Sequence, residues 1–169
     1  MANFPTGVGQ VTLAQMLAGE VVTVGPLTYD LWQILDQRTF PADAVVNFLS
    51  PTELQLTGSF APAVGYVWVY RVTAPLTAQL DQVDVDFEQL PNPAATKYSV
   101  LTTIFYPKGT NPATGAHQNI FDCKLGGVVV QANTTVTFAP GTHSVWTENS
   151  FILSDPISFV ANTWSMGGS

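Results

Sequence analysis

The sequence predicts an all-β fold, a sandwich or barrel, on three observations. From residue 44 to residue 164, apolar residues recur with a period of two in short runs that Gly- and Pro-containing turns separate. Val and Thr, β-branched residues that suit a pleated surface, number 20 each. Helical spacing occurs in one short stretch only, so the crossover helices that a parallel sheet requires are missing.

The elements follow in order. Residues 1–20 carry Gly7, Gly9 and mixed polarity, and read as a flexible arm with a short turn of helix near Leu13 to Leu17. Val21 to Val24 is a short strand stopped by Gly25-Pro26. Thr28 to Arg38 is the helix candidate: Thr28 can cap it, and Leu31, Ile34 and Leu35 fall on one face. Ala44 to Leu49 and Glu53 to Thr57 are strands divided by Ser50-Pro51-Thr52. Gly65 to Thr73 has two apolar faces, so it reads as a central strand or one at a subunit contact, with Tyr66, Trp68 and Tyr70 pointing the same way. Gln82 to Leu90 alternates most cleanly: Val83, Val85 and Phe87 face in, Asp84, Asp86 and Glu88 face out. Lys97 to Tyr106 is a strand, residues 107–115 a loop by composition, and Ile120 to Lys124 a short strand. Val128 to Phe138 alternates again, and Ser144 to Leu153 and Pro156 to Trp164 are the last strands. One domain over 21–165 is expected, with a flexible tail over 166–169.

Composition narrows the function. Only 10% of the 169 residues are charged, 12 acidic and 5 basic, for a net charge of -7; an ordinary soluble domain has about 25%. With 46% apolar residues the chain is too apolar for a disordered segment. It is too acidic to bind nucleic acid by neutralising phosphates, because no Lys or Arg precedes Arg38. Its exterior must be largely neutral and partly apolar, which suits surfaces covered by neighbours in an assembly. The single cysteine, Cys123, cannot form an internal disulfide; it is either a buried thiol or a bridge between subunits. We expect no signal peptide and no membrane span. Asn133-Thr134-Thr135 fits the glycosylation sequon, and without a secretion signal we read it as incidental.

Chemistry-bearing groups are few. His117 and His143 have no recognisable partner in sequence, and no nucleophile or metal motif occurs, so we expect no enzyme and no catalytic residue. The acidic run is the strongest constellation. Asp84 and Asp86 stand about 6.6–6.8 Å apart on one strand face. They could share one Ca²⁺, meet Arg38, Arg71 or Lys97 of a neighbouring subunit, form a glycosidase pair, or simply keep a strand face solvated. The aromatic residues Tyr66, Trp68, Tyr70, Trp146 and Trp164 are candidates for assembly or sugar contacts, against the ordinary use of such rings as core.

Several features coincide: the start Met1-Ala2-Asn3-Phe4-Pro5-Thr6-Gly7, the strands at 65–73, 82–90, 97–106 and 127–138, the loop 107–115, and the low charge. In this style and length the chain resembles viral single jelly-roll capsid proteins. It is most similar to the small major capsid proteins of tailless, icosahedral, membrane-containing phages such as those of Thermus. The resemblance implies a jelly roll of about eight strands. It also implies a virion shell protein, made in the host cytoplasm, that assembles with itself or a second capsid protein. Residues 1–37, without a Lys or Arg, depart from coat proteins that package RNA on a basic arm; this suits a shell held off the genome by a membrane or inner layer. The alternative is a virion projection or a carbohydrate- or receptor-binding β-sandwich module, for which a glycan would be the partner.

Overall fold

The computed structural model describes residues 2–5, 7–35, 40–61, 64–89, 98–107, 118–125, 128–152 and 157–168. In chain order they form β1 (Ala2–Phe4), β2 (Gly9–Thr12), α1 (Leu13–Leu17), β3 (Val22–Val24), β4 (Leu27–Leu35), β5 (Val45–Ser50), β6 (Glu53–Thr57) and β7 (Gly65–Thr73). There follow β8 (Ala78–Gln89), β9 (Tyr98–Pro107), β10 (Gln118–Leu125), β11 (Val128–Asn133), β12 (Thr135–Thr137), β13 (Ser144–Ile152) and β14 (Ile157–Gly168). One sheet has the order β1-β3-β4-β7-β13-β9-β10-β11, and the other β12-β8-β14-β6-β5-β2.

The all-β expectation holds, and the strand order is that of a jelly roll. Its two four-stranded halves are β7-β13-β9-β10 and β6-β14-β8-β12, and every pairing within them is antiparallel. The last two strands, β13 and β14, occupy the interior of opposite sheets, as two interlocked Greek keys require. The segment after β10 serves both sheets. Its first part, β11, pairs with β10; its second, β12, pairs with β8 across the sandwich. Strands β1 to β5 widen both halves beyond the eight-stranded core.

The predicted helix over 28–38 is corrected: Leu27–Leu35 is strand β4. Gly25, at φ 56, supplies the left-handed first position of a two-residue hairpin loop with Pro26, and β4 folds back on β3. A Cβ on Gly25 would also come within 2.9 Å of the Pro51 ring. The misreading has a physical origin. Leu31 is left-handed (φ 53), and the pairing of β4 with β7 slips between Asp30 and Gln33. Tyr29 and Trp32 are therefore both buried, three residues apart, which imitates a helical period. Leu31, placed on the apolar face in the sequence reading, is exposed.

An arm is expected over residues 1–20; the described ones, 2–5 and 7–20, lie on the sandwich. β1 pairs in parallel with β3, β2 pairs with β5, and Val11 and Met16 are buried. The expected helical turn is α1, closed by a capping box in which Gln15 N donates to Thr12 Oγ1 and Thr12 N donates to Gln15 Oε1. At the other end, β14 continues through Gly168. The loop expected over 107–115 lies outside the described residues from 108 onward, as do Arg38, Lys97 and His117.

One exposed contact gives a pH-sensitive reporter of the turn between β6 and β7. Asp43 accepts from Ser59 N (3.0 Å) and Ser59 Oγ (2.5 Å), and these bonds hold its carboxyl below the usual aspartate range. The carboxylate form is the one bonded, so the contact is intact above the unfolded-state value, about 3.9, and is lost as pH falls through the folded one. Carbon-detected NMR titration should find Asp43 below the ordinary aspartate range, and Ser59→Ala should return it there.

Candidate functional site

Three regions carry more than packing. The first is the side edge of the sandwich formed by β11 and β12, at the end of both sheets. From Val128 to Thr137 the sequence is VVVQANTTVT, without a charge or a proline. Val128, Val129 and Val130 are 66%, 54% and 49% exposed. Natural edges are usually blunted by Lys, Pro or a covering element, because a bare edge presents unpaired N–H and C=O groups to any other strand. This one carries none of those residues. The alternation predicted for Val128 to Phe138 appears only in its second half, where Val136 and Phe138 are buried.

The second is a polar network at the centre of the core. Tyr70 on β7, Thr103 on β9, Asn149 on β13, and Asn162 and Trp164 on β14 all point between the sheets and are buried. Asn149 and Asn162 exchange reciprocal amide bonds: Nδ2 of Asn149 to Oδ1 of Asn162 (3.1 Å) and Nδ2 of Asn162 to Oδ1 of Asn149 (3.0 Å). Tyr70 Oη donates to Asn162 Oδ1 at 2.6 Å and accepts from Trp164 Nε1 at 3.0 Å, while Thr103 Oγ1 donates to Asn149 Oδ1 at 3.1 Å. Burial pushes the Tyr70 phenol far above its usual range, so it remains a proton donor. The network fixes which residue of one sheet faces which of the other. A fully satisfied buried network can do this, where apolar contacts alone tolerate sliding.

The third is charged. Ile120, Asp122 and Lys124 alternate onto the inner face of β10 and are all buried. Lys124 Nζ donates to Asp86 Oδ1 of β8 at 2.9 Å and to the backbone oxygen of Phe87, and lies 4.8 Å from the Phe87 ring centroid. Asp86 Oδ1 also accepts from Phe87 N at 2.9 Å. Asp122 is 1% exposed, and neither carboxyl oxygen has a hydrogen-bond partner at normal geometry. Burial, then the neighbouring Asp86, pushes its carboxyl up to about 7. Burial also pushes Asp86 up, but Asp122 and Lys124 outweigh it and hold Asp86 below its usual value. The proton of this carboxyl pair therefore resides on Asp122.

The predicted site residues separate accordingly. Asp84, Asp86 and Glu88 face out of β8 while Val83, Val85 and Phe87 are buried, as the alternation required. Asp84 accepts from Thr135 Oγ1 at 3.2 Å, and Asp86 is engaged by Lys124 of its own chain. Among the described residues, no group of three or more His, Cys, Asp or Glu side chains is placed to hold a metal ion. Arg71, considered as a partner for those carboxylates in a neighbour, forms a two-pronged pair with Asp30 (2.9 and 2.7 Å). Tyr66, Trp68, Tyr70 and Trp164 are buried, and Trp146 is partly exposed. Cys123 is a free, buried thiol. Sequence reasoning missed Asp122, Lys124, Asn149 and Asn162. A signal was present for Asn162, which stands between Val160 and Trp164 at the inward beats of β14, but it was weaker on β13, where Thr147 is also inward, and on β10, where Ile120 is the apolar residue beside Asp122 and Lys124.

No protein-family model matches the chain, and no curated protein matches it. Among solved structures, the chain is similar to the carbohydrate-binding module TmCBM61, determined in complex with beta-1,4-galactotriose. The match has 7% identity and a TM-score of 0.33, and covers 82% of this chain and 89% of that one.

Proposed function

We propose that this protein is a structural virion protein: a single β-barrel capsid protein that assembles with its own copies, or with a partner capsid protein, into an icosahedral shell. The observation that carries the reading is the uncharged side edge from Val128 to Thr137, with three successive exposed valines. A second copy can pair its own strand along the valine stretch of this edge, burying the valines and satisfying the open backbone groups. Jelly rolls serve both capsids and lectins, so the fold alone does not choose between them. The carbohydrate-binding alternative needs exposed rings, and four of the five candidate rings are inside the core. The charge balance favours a shell that does not touch the genome: a negative chain without Lys or Arg in its first 37 residues has little to offer phosphates.

Sedimentation velocity tests the reading. The purified protein should form discrete oligomers that grow with concentration, and Val129→Lys should return it to monomer. A wild-type protein that stays monomeric from micromolar to millimolar concentration, alone and with co-expressed virion proteins, would overturn it.

A further inference from the structure

We propose that Lys124 and Asp86 condense into an amide, a covalent cross-link between β10 and β8 that ties the two sheets together, with Asp122 as the group that moves the protons. Three observations support this, independently of the assembly reading.

The amine and the carboxyl are already in contact, Nζ to Oδ1 at 2.9 Å, and the Phe87 backbone oxygen and ring fix the amine from two further sides. Two reactants held like this need no further encounter. The side chain of Lys124 is 8% exposed, so its amine is held out of bulk water against the Asp86 carboxyl. Finally, Asp122 is buried beside the pair with both oxygens unpartnered. Two inward-facing charged residues on one strand are hard to explain as packing, and a carboxyl left without a hydrogen bond costs stability unless it has another use.

The reaction balances without a further reagent. Lys124 Nζ passes one proton to the Asp86 carboxylate, which makes both groups neutral. The free amine attacks Asp86 Cγ. Asp122 protonates the departing hydroxyl, which leaves as water, and then recovers a proton from the nitrogen. A C–N bond forms, a C–O bond breaks, and Asp122 ends as it began. Asp86 is the partly exposed member, 55% at its side chain, which gives the water a way out.

Intact-mass spectrometry of the denatured full-length protein reads the outcome directly. The wild type should weigh one water, about 18 Da, less than its sequence requires. Trypsin should spare Lys124 and yield one branched peptide joining the segments that hold Asp86 and Lys124. Lys124→Arg, which keeps the charge but lacks the amine, and Asp122→Asn, nearly the same shape, should both restore the full mass. A wild-type protein at its full sequence mass, with Lys124 cleaved normally, overturns the proposal. A mass loss that persists in Lys124→Arg also overturns it, since the water then leaves from elsewhere. The peptide map of the wild type decides the matter even if a variant fails to fold.

Discussion

Asn162→Ala should lower the unfolding free energy by about 3–5 kcal/mol, near the upper end for a single substitution. The side chain is small, and lost packing accounts for only part of this. Removing its amide takes one partner each from Tyr70 Oη, Asn149 Nδ2 and Asn149 Oδ1, all inside the core. Each buried polar group deprived of a partner costs about 1–3 kcal/mol, and the three share one network, so the costs do not add in full. For a chain of this length the melting temperature should fall by roughly 10 °C. Tyr70→Phe is the control. It removes the hydroxyl between Asn162 Oδ1 and Trp164 Nε1 but leaves the reciprocal Asn149–Asn162 pair, and should cost about 1–2 kcal/mol. Urea denaturation of both variants checks the order; equal losses would show that the amide pair adds nothing beyond the tyrosine contact.

Trp164→Ala should be as damaging, by about 3–5 kcal/mol, for an apolar reason. The indole stacks on Phe138 at 5.9 Å between centroids and meets the edges of Phe105 at 6.0 Å and Tyr70 at 6.4 Å. From β14 it therefore touches side chains of β7, β9 and the segment just after β12. Its loss opens a cavity that rigid strands on both sides cannot close. Near-ultraviolet circular dichroism should lose much of its aromatic signal while the far-ultraviolet strand signal remains. A variant with wild-type stability would instead place Trp164 at a surface, as a sugar platform requires.

The fold was largely legible because a half-buried strand writes its period directly into the sequence. Glu53 to Thr57 and Gly65 to Thr73 match β6 and β7 at both ends. The failure at β4 shows the limit: one bulged residue, Leu31, moves the phase by a single position, and a period of two then resembles 3.6. The site was less legible. The acidic face of β8 was visible as alternation, but its partner, Lys124, comes from the opposite sheet. Nothing in the local pattern of 82–90 could report a residue that only tertiary packing brings near. The same holds for Asn149 and Asn162, whose mutual contact joins the two sheets.

The position of β13 and β14 sets an order of events during synthesis. Both follow β6 to β9 in the sequence, yet each lies inside its sheet: β13 between β7 and β9, β14 between β6 and β8. Until β13 and β14 have left the ribosome, neither half of the jelly roll has its middle, and β6 to β9 wait with open flanks. The nascent chain cannot complete its core strand by strand as it emerges. It folds late and through pairings distant in sequence, a slow route on which unfinished chains expose β-rich edges to one another. Copies translated close together would meet as unfinished chains, so slower synthesis should lower their aggregation.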